Sequence, residues 1–531
     1  MICRSGTDPS LELGRSLWGR TASGRFAPQL WGGRPRPGHP LGPTPWSPEL
    51  LKWLDSTGQI GYTWFSLWFL EPLTPNPYMW KARVLIFFAA LAGLARGGDY
   101  TALDRYVAAP DSSYRYSLSR TVSLPGLTAY QLDMVSQTWL TAAEVDRPEW
   151  HHWVTIVKPD QVTTSTALLY IDGGSNQSSP GNPDPTMLAL AAQSGAVVVD
   201  LGQVPNEPLL FADETQGLTE DALVAYTWAK FLNTGDERWP ARLPMTKAAV
   251  RAMDTTTAFL ANLPAPVAVK NFAVAGGSKR GWTTWTTAAV DPRVIAIGPI
   301  VIDTLNVQDV FIHQWQCYGY WEEAAQDYVN AGIMNWLGTP QMDALMEIED
   351  PYRYRERLTM PKYLVNSTGD QFFLPDDSQF YFSDLPGEKY LRYVPNTDHS
   401  MASPDAFANL LTWFQGVTQN FPRPRFYWDT DRSLGTMLVR VVDTPTQVLL
   451  WQATNPQARD FRLQTIGPAW TSTPLQGQNG IYTVSMAQPA RGWTGFFVEL
   501  DFAGPGGPLV FTTEVVVTPD VLPFGLPPGV Q

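Results

Sequence analysis

Residues 267–303 read VAVKNFAVAGGSKRGWTTWTTAAVDPRVIAIGPIVID. The pattern predicts a strand over 267–275, a glycine-rich turn, a helix over 282–290 and a second strand over 294–302. Both predicted strands are almost wholly apolar, as strands are when helices cover both faces of a parallel sheet. Ser278 stands between small residues in the turn, so its hydroxyl is predicted to project clear of the sheet.

The turn has the form of a nucleophile elbow, the strand-to-helix turn that presents the catalytic serine of α/β-hydrolases. Gly276 and Ser278 fit the pattern G-x-S-x-G. Arg280 occupies the last position of that pattern, and Gly281 follows one residue later. The backbone N–H of Lys279 would lie at the helix N-terminus, where it can stabilise an oxyanion. A glycine-rich turn in another kind of α/β protein would have a similar sequence. The turn alone does not distinguish the two, so other parts of the chain are needed as evidence.

Apolar strand segments and helical segments alternate through residues 96–425, the predicted main domain. The predicted strands lie at 130–140, 152–157, 167–172, 196–201, 362–367 and 389–394. The predicted helices lie at 185–193, 219–232, 245–263 and 404–418. This alternation predicts a parallel sheet with helices on both faces, and with the elbow it predicts the α/β class and an α/β-hydrolase fold. Active sites in such sheets lie at the carboxyl ends of the strands, where the Ser278 turn and the GGSN loop (173–176) are placed.

A carboxylate and a histidine follow the last two predicted strands. A nucleophilic serine needs a base to accept its proton and a carboxylate to orient that base. In α/β-hydrolases the acid and then the histidine come after the serine in the chain. Asp370 follows the strand at 362–367, and His399 follows the strand at 389–394. Ser278, Asp370 and His399 are therefore predicted to form a catalytic triad.

Few residues compete for the roles of acid and base. The five histidines are His39, His151, His152, His313 and His399. Only the last of them follows the final strand of the predicted sheet. Among the nearby carboxylates, Asp398 is adjacent to the base, so its side chain should point elsewhere. Asp376 and Asp377 lie further into the loop and are predicted to be solvated.

An aromatic-rich insertion of about 55 residues, 304–358, separates two of the predicted sheet strands and has a helical pattern over 321–333. Many α/β-hydrolases carry a lid at this place, whereas an ordinary helical crossover, which is the alternative, is usually shorter. We therefore predict that the insertion is a lid that covers Ser278. The residues predicted to line the substrate site from the lid are Trp315, Trp321 and Trp336.

Residues 426–520 have a different character, with short runs of near-alternating polarity separated by turn residues. Six or seven such strands are typical of a β-sandwich, and we predict a separate C-terminal domain of immunoglobulin-like type. Such a domain would bind a protein partner or pack against the main domain. A purely structural appendage is an equal alternative.

The start of the chain is unlike the rest. Residues 1–78 hold 11 Pro with repeated Gly and Arg, show no period, and are predicted to be an irregular leader that is not translated. Residues 79–95 combine a basic start, twelve apolar residues and a small-residue end, which predicts a secretory signal peptide, with a buried core helix as the alternative. We expect translation to start at Met79 and cleavage to follow Ala95, giving a secreted protein, periplasmic if bacterial. Twelve apolar residues are too few for a stable membrane span.

The composition excludes some classes of function. The chain has 531 residues, of which 44% are hydrophobic and 16% charged, so it can bury a sizeable core. Its net charge of −13 argues against a nucleic-acid-binding protein, which needs a basic face. The predicted site contains no metal and no cofactor.

Several stretches resemble the PhoPQ-activated pathogenicity-related protein family, which includes secreted eukaryotic proliferation-repressor proteins. They are GGSKRGWTTWTTAAVDPRV (276–294), VNSTGDQFFLPDDSQFYFSDLPGEK (365–389), LRYVPNTDHS (391–400), EDALVAYTWAKFL (220–232) and LPMTKAAVRAMDT (243–255). The resemblance runs from about residue 99 to about residue 520, and residues 1–78 lie outside it. It implies a secreted α/β-hydrolase-like protein. The roles that it implies are nucleophile for Ser278, acid for Asp370 and base for His399.

The elbow is also similar to that of glucuronoyl esterases, in which the basic residue after the serine helps to hold the oxyanion. Lys279 is the counterpart of that residue, although lysine offers a point charge where arginine offers a planar fork. We predict that the oxyanion hole consists of the Lys279 N–H and one N–H from Gly174 or Ser175. The resulting prediction is a secreted serine hydrolase that acts on an ester or peptide bond of a small-molecule or peptide substrate. The alternative is a secreted signalling or binding protein on the same scaffold, with little or no turnover.

Overall fold

A mixed β-sheet forms the centre of the part of the chain that the computed structural model describes, residues 100–530. The strands of this sheet and of a smaller one are β1 (Arg115–Leu124), β2 (Leu127–Thr138), β3 (Glu149–Pro159), β4 (Thr166–Ile171), β5 (Val198–Leu201), β6 (Asn271–Gly277), β7 (Val294–Ile300), β8 (Lys362–Ser367), β9 (Lys389–Val394), β10 (Phe426–Asp431), β11 (Thr436–Val441), β12 (Gln447–Asn455), β13 (Thr471–Pro474), β14 (Ile481–Ser485), β15 (Trp493–Ala503), β16 (Pro508–Thr512) and β17 (Val516–Thr518). The α-helices are α1 (Ala102–Ala108), α2 (Pro185–Ser194), α3 (Glu220–Thr234), α4 (Arg242–Ala261), α5 (Lys279–Val290), α6 (Val307–Tyr318), α7 (Gln326–Asn330), α8 (Pro340–Glu349), α9 (Pro404–Thr418) and α10 (Leu463–Ile466). Short 3₁₀ helices lie at Glu323–Ala325, Ile333–Trp336, Pro351–Arg357, Asp377–Phe380 and Phe382–Asp384.

The strands that carry the predicted site are parallel neighbours in the order β5, β4, β6, β7, β8 and β9. On one side β3 pairs antiparallel with β5, and β2 and β1 follow it outward. A mixed sheet flanked by helices confirms the predicted α/β class. The carboxyl ends of parallel strands share one edge of a sheet, so the turns after β6, β8 and β9 meet there.

The two faces of the sheet carry separate hydrophobic cores, because side chains alternate along each strand. In β6, Phe272 and Val274 pack into one core, whereas Ala273 and Ala275 pack into the other. Helices α3, α4 and α5 cover the first face, and α2 and α9 cover the second. Burial on both faces explains why the predicted strands read as nearly continuous apolar runs.

The strands of residues 426–520 are arranged differently from the separate domain predicted for this region. Five of them (β12, β13, β15, β16 and β17) continue the central sheet, because β16 pairs with β9 at Thr512 and Leu391. The others (β10, β11 and β14) form a second antiparallel sheet, and Met437 and Val439 of β11 pack into the same core as α9. An immunoglobulin-like domain is not confirmed. The edge of β9 that a separate domain would leave unpaired is covered by β16.

The insertion between β7 and β8 is helical but broken into short pieces. It contains α6, α7, α8 and three 3₁₀ helices. Within 321–333, where a helical pattern is predicted, Glu323–Ala325 and Gln326–Asn330 are helical, and a further 3₁₀ helix begins at Ile333. The helix ends before Gly332, which adopts a left-handed conformation with a φ of 73°.

The predicted leader (1–78) and signal peptide (79–95) lie outside the described residues, and both stay predictions. Within residues 100–530, no helix combines the length and the apolar character needed to cross a bilayer. Of the two cysteines, Cys317 is a free and buried thiol, and Cys3 lies outside the described residues.

Candidate active site

Ser278 lies between β6 and α5 in a backbone conformation that side chains rarely adopt. Its φ is 55° and its ψ is −125°, and strain of this kind costs about 1–3 kcal/mol and is common at functional sites. A Cβ built on Gly276 would lie 2.8 Å from the carbonyl oxygen of Arg280. A Cβ built on Gly281 would lie 2.8 Å from the carbonyl oxygen of Gly276. The turn therefore needs glycine two residues before and three residues after the serine, which accounts for the shifted motif.

The three residues predicted to form a triad are in hydrogen-bond contact. His399 Nε2 lies 2.9 Å from Ser278 Oγ. His399 Nδ1 lies 3.0 Å from Oδ1 and 2.9 Å from Oδ2 of Asp370. An ionised carboxylate only accepts hydrogen bonds, so it favours the tautomer with a proton on Nδ1. That tautomer leaves Nε2 free to accept the proton of the Ser278 hydroxyl.

The turn after β8 fixes the carboxylate and the ring of the base. Asp370 Oδ1 accepts hydrogen bonds from the backbone N–H groups of Phe372 (2.8 Å) and Phe373 (3.3 Å). The rings of these two phenylalanines lie against His399, with centroid distances of 4.4 and 6.0 Å. Because Asp370 is buried and its orientation is set by two backbone donors, the imidazole has one well-defined partner.

The other carboxylates near the base form hydrogen bonds with groups outside the triad. Asp398 accepts hydrogen bonds from the backbone N–H (3.0 Å) and the hydroxyl (2.6 Å) of Ser400, as expected for a residue that points away from the triad. Asp376 and Asp377 are fully buried, so the prediction that they are solvated is wrong. Asp376 can be buried because Arg459, a residue distant in sequence, donates to it at 2.6 Å.

The predicted oxyanion donors come from two elements at the same edge of the sheet. Lys279 is the first residue of α5, and the first N–H groups of a helix have no acceptor within it. Gly174, in the loop after β4, has a φ of 112°, and no heavy atom of the described residues lies within 4 Å of a Cβ built on it. Ser175 pairs with Glu207 in an isolated β-bridge. The role of these N–H groups stays a prediction.

The side chain of Lys279 is not free to bind an oxyanion. Its ammonium group donates to Asp221 Oδ2 at 2.8 Å and lies 3.1 Å from Glu220 Oε2. Only 9% of the side chain is exposed. The similarity to glucuronoyl esterases implies that a basic side chain holds the oxyanion, but here two carboxylates neutralise it. Only the backbone N–H of Lys279 is left for that role.

The insertion contacts the neighbours of both the nucleophile and the base. Tyr328 of α7 donates to Asp221 Oδ1 at 3.1 Å, and the same carboxylate binds Lys279. Gln314 of α6 donates to the carbonyl oxygen of Phe372 at 3.0 Å. The helices of the insertion are thereby tied to both sides of the triad.

The three tryptophans predicted to line the substrate site lie within this insertion. Trp315 and Trp321 pack on each other with ring centroids 5.0 Å apart. Trp336 is partly buried and packs against the main core. Their contact with a substrate stays a prediction.

A model of the PhoPQ-activated pathogenicity-related protein family matches residues 103–462. The chain belongs to this family. The predicted resemblance is thereby confirmed. Autocrine proliferation repressor protein A of Dictyostelium discoideum is 40% identical over 478 residues, which are 84% of this chain and 95% of that protein.

The PhoPQ-related chain also resembles solved structures at low sequence identity. Acetyl xylan esterase 1 from Thermoanaerobacterium sp. JW/SL YS485 aligns with a TM-score of 0.42 at 15% identity, over 60% of this chain and 92% of that chain. The acetyl xylan esterase from Paenibacillus sp. R4 aligns with a TM-score of 0.42 at 14% identity, over 60% of this chain and 92% of that chain. TM-scores below 0.5 support no conclusion about activity.

A second histidine–carboxylate cluster of the PhoPQ-related chain lies buried between helix α6 and the loop after β8. His313 Nε2 lies 3.3 Å from Asp376 Oδ1 and 3.6 Å from Cys317 Sγ. His313, Asp376 and Asp377 offer donor atoms within 4.8 Å of one another, as ligands of one metal ion would. Arg459 Nη1, however, lies 2.9 Å from the sulfur and 3.4 Å from the imidazole nitrogen. The guanidinium already supplies the positive charge, so this donor set does not require a metal ion.

His152, another of the five histidines, is buried and has a structural role. Its Nε2 lies 3.0 Å from Ser136 Oγ, and its Nδ1 lies 3.1 Å from the carbonyl oxygen of Gly202. Burial lowers the pKa of His152 to about 4, so the ring is neutral at physiological pH.

A cavity of about 580 Å³ lies between the β9 region and β10, and none of the three triad residues lines it. The aromatic side chains that line it are Phe382, Tyr390, Phe426, Tyr427 and Trp428. Among the charged residues around it, Lys389 donates to three backbone carbonyls, and Glu514 accepts from the Trp428 indole and from Arg432. These charges are satisfied within the protein.

Five residues that hold the site of this PhoPQ-related protein are not among the candidates predicted from its sequence. They are Glu220, Asp221, Arg280, Tyr328 and Phe372. Only the arginine has a signal in the sequence, because it replaces the last glycine of the G-x-S-x-G pattern. The pairing of the others depends on contacts between residues far apart in the chain, which no local pattern reveals.

Proposed function

We propose that this chain is a serine hydrolase that cleaves an ester or a peptide bond through Ser278, His399 and Asp370. The observation that carries the proposal is the 2.9 Å contact between Ser278 Oγ and His399 Nε2, on a serine held in a strained turn. Asp370 on the opposite nitrogen supports the same assignment, because a base must be held in one tautomer to act on the serine. The substrate is a small molecule or a peptide.

In the proposed reaction, the Ser278 oxygen attacks the carbonyl carbon while His399 Nε2 accepts the hydroxyl proton. Asp370 stabilises the imidazolium that forms. The oxyanion of the tetrahedral intermediate accepts hydrogen bonds from the Lys279 N–H and from Gly174 or Ser175. His399 then donates the proton to the leaving group, and the acyl-enzyme remains. Water, deprotonated by His399, attacks the acyl-enzyme and releases the acid and free serine.

We propose in addition that residues 304–358 form a lid over this site. The hydrogen bonds of Tyr328 to Asp221 and of Gln314 to the Phe372 carbonyl support it. Asp221 binds Lys279, the residue after the nucleophile, and the ring of Phe372 lies against the base. The aromatic side chains of the lid would contact the apolar part of a substrate. Alanine substitution at the three lid tryptophans should change the substrate preference and leave the rate of a minimal acetyl ester much less affected.

A fluorophosphonate probe and a series of aryl esters and peptide anilides test the proposal. Wild type should be labelled and should hydrolyse at least one of these substrates, whereas Ser278→Ala should do neither. Asp370→Asn should lose less activity than His399→Ala, because the carboxylate only orients the base. Full activity in Asp370→Asn would transfer the acid role to another carboxylate.

Matched controls distinguish the triad from similar residues nearby. Ser383→Ala and Asp398→Asn alter polar residues outside the triad, and His151→Ala alters an exposed histidine. All three controls should keep wild-type labelling. Wild-type turnover in Ser278→Ala would contradict the proposed function.

A second candidate is a secreted signalling protein on the same scaffold, with little or no turnover. The observation that favours it is the name of the 40% identical relative, an autocrine proliferation repressor. The two candidates separate in a growth assay with the purified protein. Repression by wild type that survives in Ser278→Ala would support the signalling role, and loss of repression in that variant would tie it to catalysis.

Secretion is part of both candidates. It is supported by the basic and apolar pattern of residues 79–95. N-terminal sequencing of protein from the culture medium should find a start near Arg96. A start before Met79 would contradict both the signal peptide and the assignment of residues 1–78 as an untranslated leader.

A further inference from the structure

Arg280 breaks the G-x-S-x-G pattern, and its side chain is turned inward with 13% exposed. Its Nε donates to the carbonyl oxygen of Val204 at 2.6 Å. Its Nη1 and Nη2 donate to the two carboxylate oxygens of Glu220 at 3.0 and 2.7 Å. All three nitrogens of the planar fork are therefore engaged, which fixes the guanidinium in position and orientation.

The guanidinium of Arg280 lies directly against the loop that follows β4. A Cβ built on Gly173 would lie 2.5 Å from Nη2 and 2.9 Å from Cζ, so only glycine allows this approach. The Gly173 carbonyl accepts a hydrogen bond from the Gln203 N–H at 2.7 Å. Gly173 is thus held on two sides, and the next N–H along the chain is that of Gly174.

The far end of the same loop is tied to the same network. Glu220 donates its backbone N–H to Glu207 Oε2 at 2.6 Å, at a residue with a φ of 50°. The Glu207 carbonyl accepts from the N–H of Asn176 at 2.5 Å. Arg280, Glu220 and Glu207 therefore connect the start of helix α5 with both ends of the loop 173–176.

From these contacts we infer that Arg280 is a positioning residue for the oxyanion hole. It holds the Gly174 N–H where this group and the Lys279 N–H can donate to the same oxyanion. The inference rests on the proposed hydrolase function. It also explains the departure from the glycine pattern. The residue after the nucleophile supplies one donor through its backbone, and the following residue uses its side chain to fix the loop that supplies the other.

Charge balance excludes a role of Arg280 as a binding site for an anionic substrate. Burial acts to raise the pKa of Glu220, but the guanidinium of Arg280 outweighs it and holds that pKa at about 2. Burial, and then the charge of Glu220, raises the pKa of Glu207 to about 7. The Arg280 charge is thus neutralised by an ionised Glu220, with no positive charge left over.

The rate of fluorophosphonate labelling tests the inference, because phosphonylation of Ser278 also develops charge in the oxyanion hole. Arg280→Met should slow labelling and lower kcat by roughly 10²-fold, with a much smaller change in KM, as expected when an oxyanion donor is misplaced. Arg280→Lys should show most of the same decrease in labelling rate and kcat, since an ammonium group cannot replace the planar guanidinium. Added guanidinium ions should partly restore Arg280→Ala.

A glycine pair supplies a test that leaves Arg280 in place. Gly173→Ala should slow labelling like Arg280→Met, because its Cβ would displace the guanidinium, and the two changes should not be additive. Gly181→Ala is the matched control, since no heavy atom of the described residues lies within 4 Å of its Cβ and its rate should equal that of wild type. Melting temperatures of all variants separate a local effect from a loss of fold.

The outcomes distinguish this inference from the proposed function. If wild type labels at Ser278 but Arg280→Met labels equally fast, the hydrolase function stands and the positioning role is wrong. A rate loss that follows the melting temperature of the variants and is not restored by guanidinium also contradicts the positioning role. If wild type is not labelled and hydrolyses none of the substrates, both the hydrolase function and the positioning role are wrong.

Discussion

Residues 100–530 contain two sets of a serine or cysteine, a histidine and an aspartate in mutual contact, and they are built differently. The open set consists of Ser278, His399 and Asp370. The buried set consists of Cys317, His313 and Asp376. In the open set the histidine uses opposite ring nitrogens for its two partners. In the buried set Nε2 of the histidine faces the carboxylate at 3.3 Å, and the thiol lies nearer to this same nitrogen (3.6 Å) than to Nδ1 (3.9 Å).

The difference shows that residue types alone do not define a catalytic triad. A base that is oriented through one nitrogen must present the other to the nucleophile, whereas in the buried set the thiol lies closer to the nitrogen that already faces the carboxylate. Arg459 also donates to both the thiol and the carboxylate of that set. Burial raises the pKa of the Cys317 thiol, so the reactive thiolate is suppressed. The buried set therefore joins helix α6 to the loop after β8 and, through Arg459, to the segment that follows β12.

The largest expected effect comes from removing each histidine in turn. His399→Ala should lower kcat by about 10⁴-fold, since the base of a triad is lost. His313→Ala should keep kcat within about threefold and lower the free energy of unfolding by about 1–3 kcal/mol. Turnover per mole of folded protein and urea unfolding give the two quantities. A comparable loss of turnover in a folded His313→Ala protein would assign catalysis to the buried set as well.

Removal of Arg459 should cause the largest loss of stability. Arg459→Met leaves Asp376 as an uncompensated buried charge, and breaking such a pair costs about 3–5 kcal/mol. Arg440 forms an exposed pair with Asp429, so Arg440→Met should change the free energy of unfolding by less than about 1 kcal/mol. Equal effects of the two substitutions on urea unfolding would show that the buried pair is not a main support of the fold.

The pH dependence of stability isolates the carboxylate of the buried set. Burial by itself raises the pKa of Asp376, but the Arg459 guanidinium and His313 outweigh it and hold the pKa well below its ordinary value. A lowered pKa contributes stability above the unfolded pKa of about 3.9, and the contribution is lost as the pH falls toward the folded pKa. Asp376→Asn should cost about 2 kcal/mol between pH 5 and pH 7, and this difference should shrink below pH 4. A difference from wild type that stays constant down to pH 2 would contradict the assignment.

The smallest expected effect is the absence of a reaction at Cys317. Iodoacetamide should leave this thiol unmodified in the native protein and modify it fully in urea, because the group is buried and its pKa is raised. Under the same native conditions a fluorophosphonate should label Ser278. Peptide mass spectrometry measures both. Native alkylation of Cys317 without unfolding would show that the buried set is open to solvent.

The sequence predicts those parts of the fold whose pattern is local. The strands at 362–367 and 389–394 and the helix at 404–418 agree with the structure to the residue, because their apolar pattern and flanking turns are clear. The three residues of the proposed triad can be predicted from the sequence for a related reason. In a parallel sheet the position of a residue just after a strand already places it at the common edge.

Contacts between distant segments could not be predicted. Asp376 reads as a solvated loop residue because Arg459, which neutralises it, lies 83 residues further along the chain. The pairing of β16 with β9 is equally remote, so the later strands read as a separate domain. Arg280 is intermediate, because its place in the elbow is visible in the sequence but its contact with Gly173 is not.

The pairing of β16 with β9 has a consequence for the biogenesis of the protein. The strand that leads to His399 obtains its outer neighbour only when residues 508–512 have left the ribosome. Until then the edge of β9 is open, and long-range pairing of this kind forms late and slowly. A nascent or prematurely terminated chain would therefore carry the serine and the histidine without a settled geometry between them. If the chain is the hydrolase proposed above, it would then be inactive until the whole polypeptide has been synthesised.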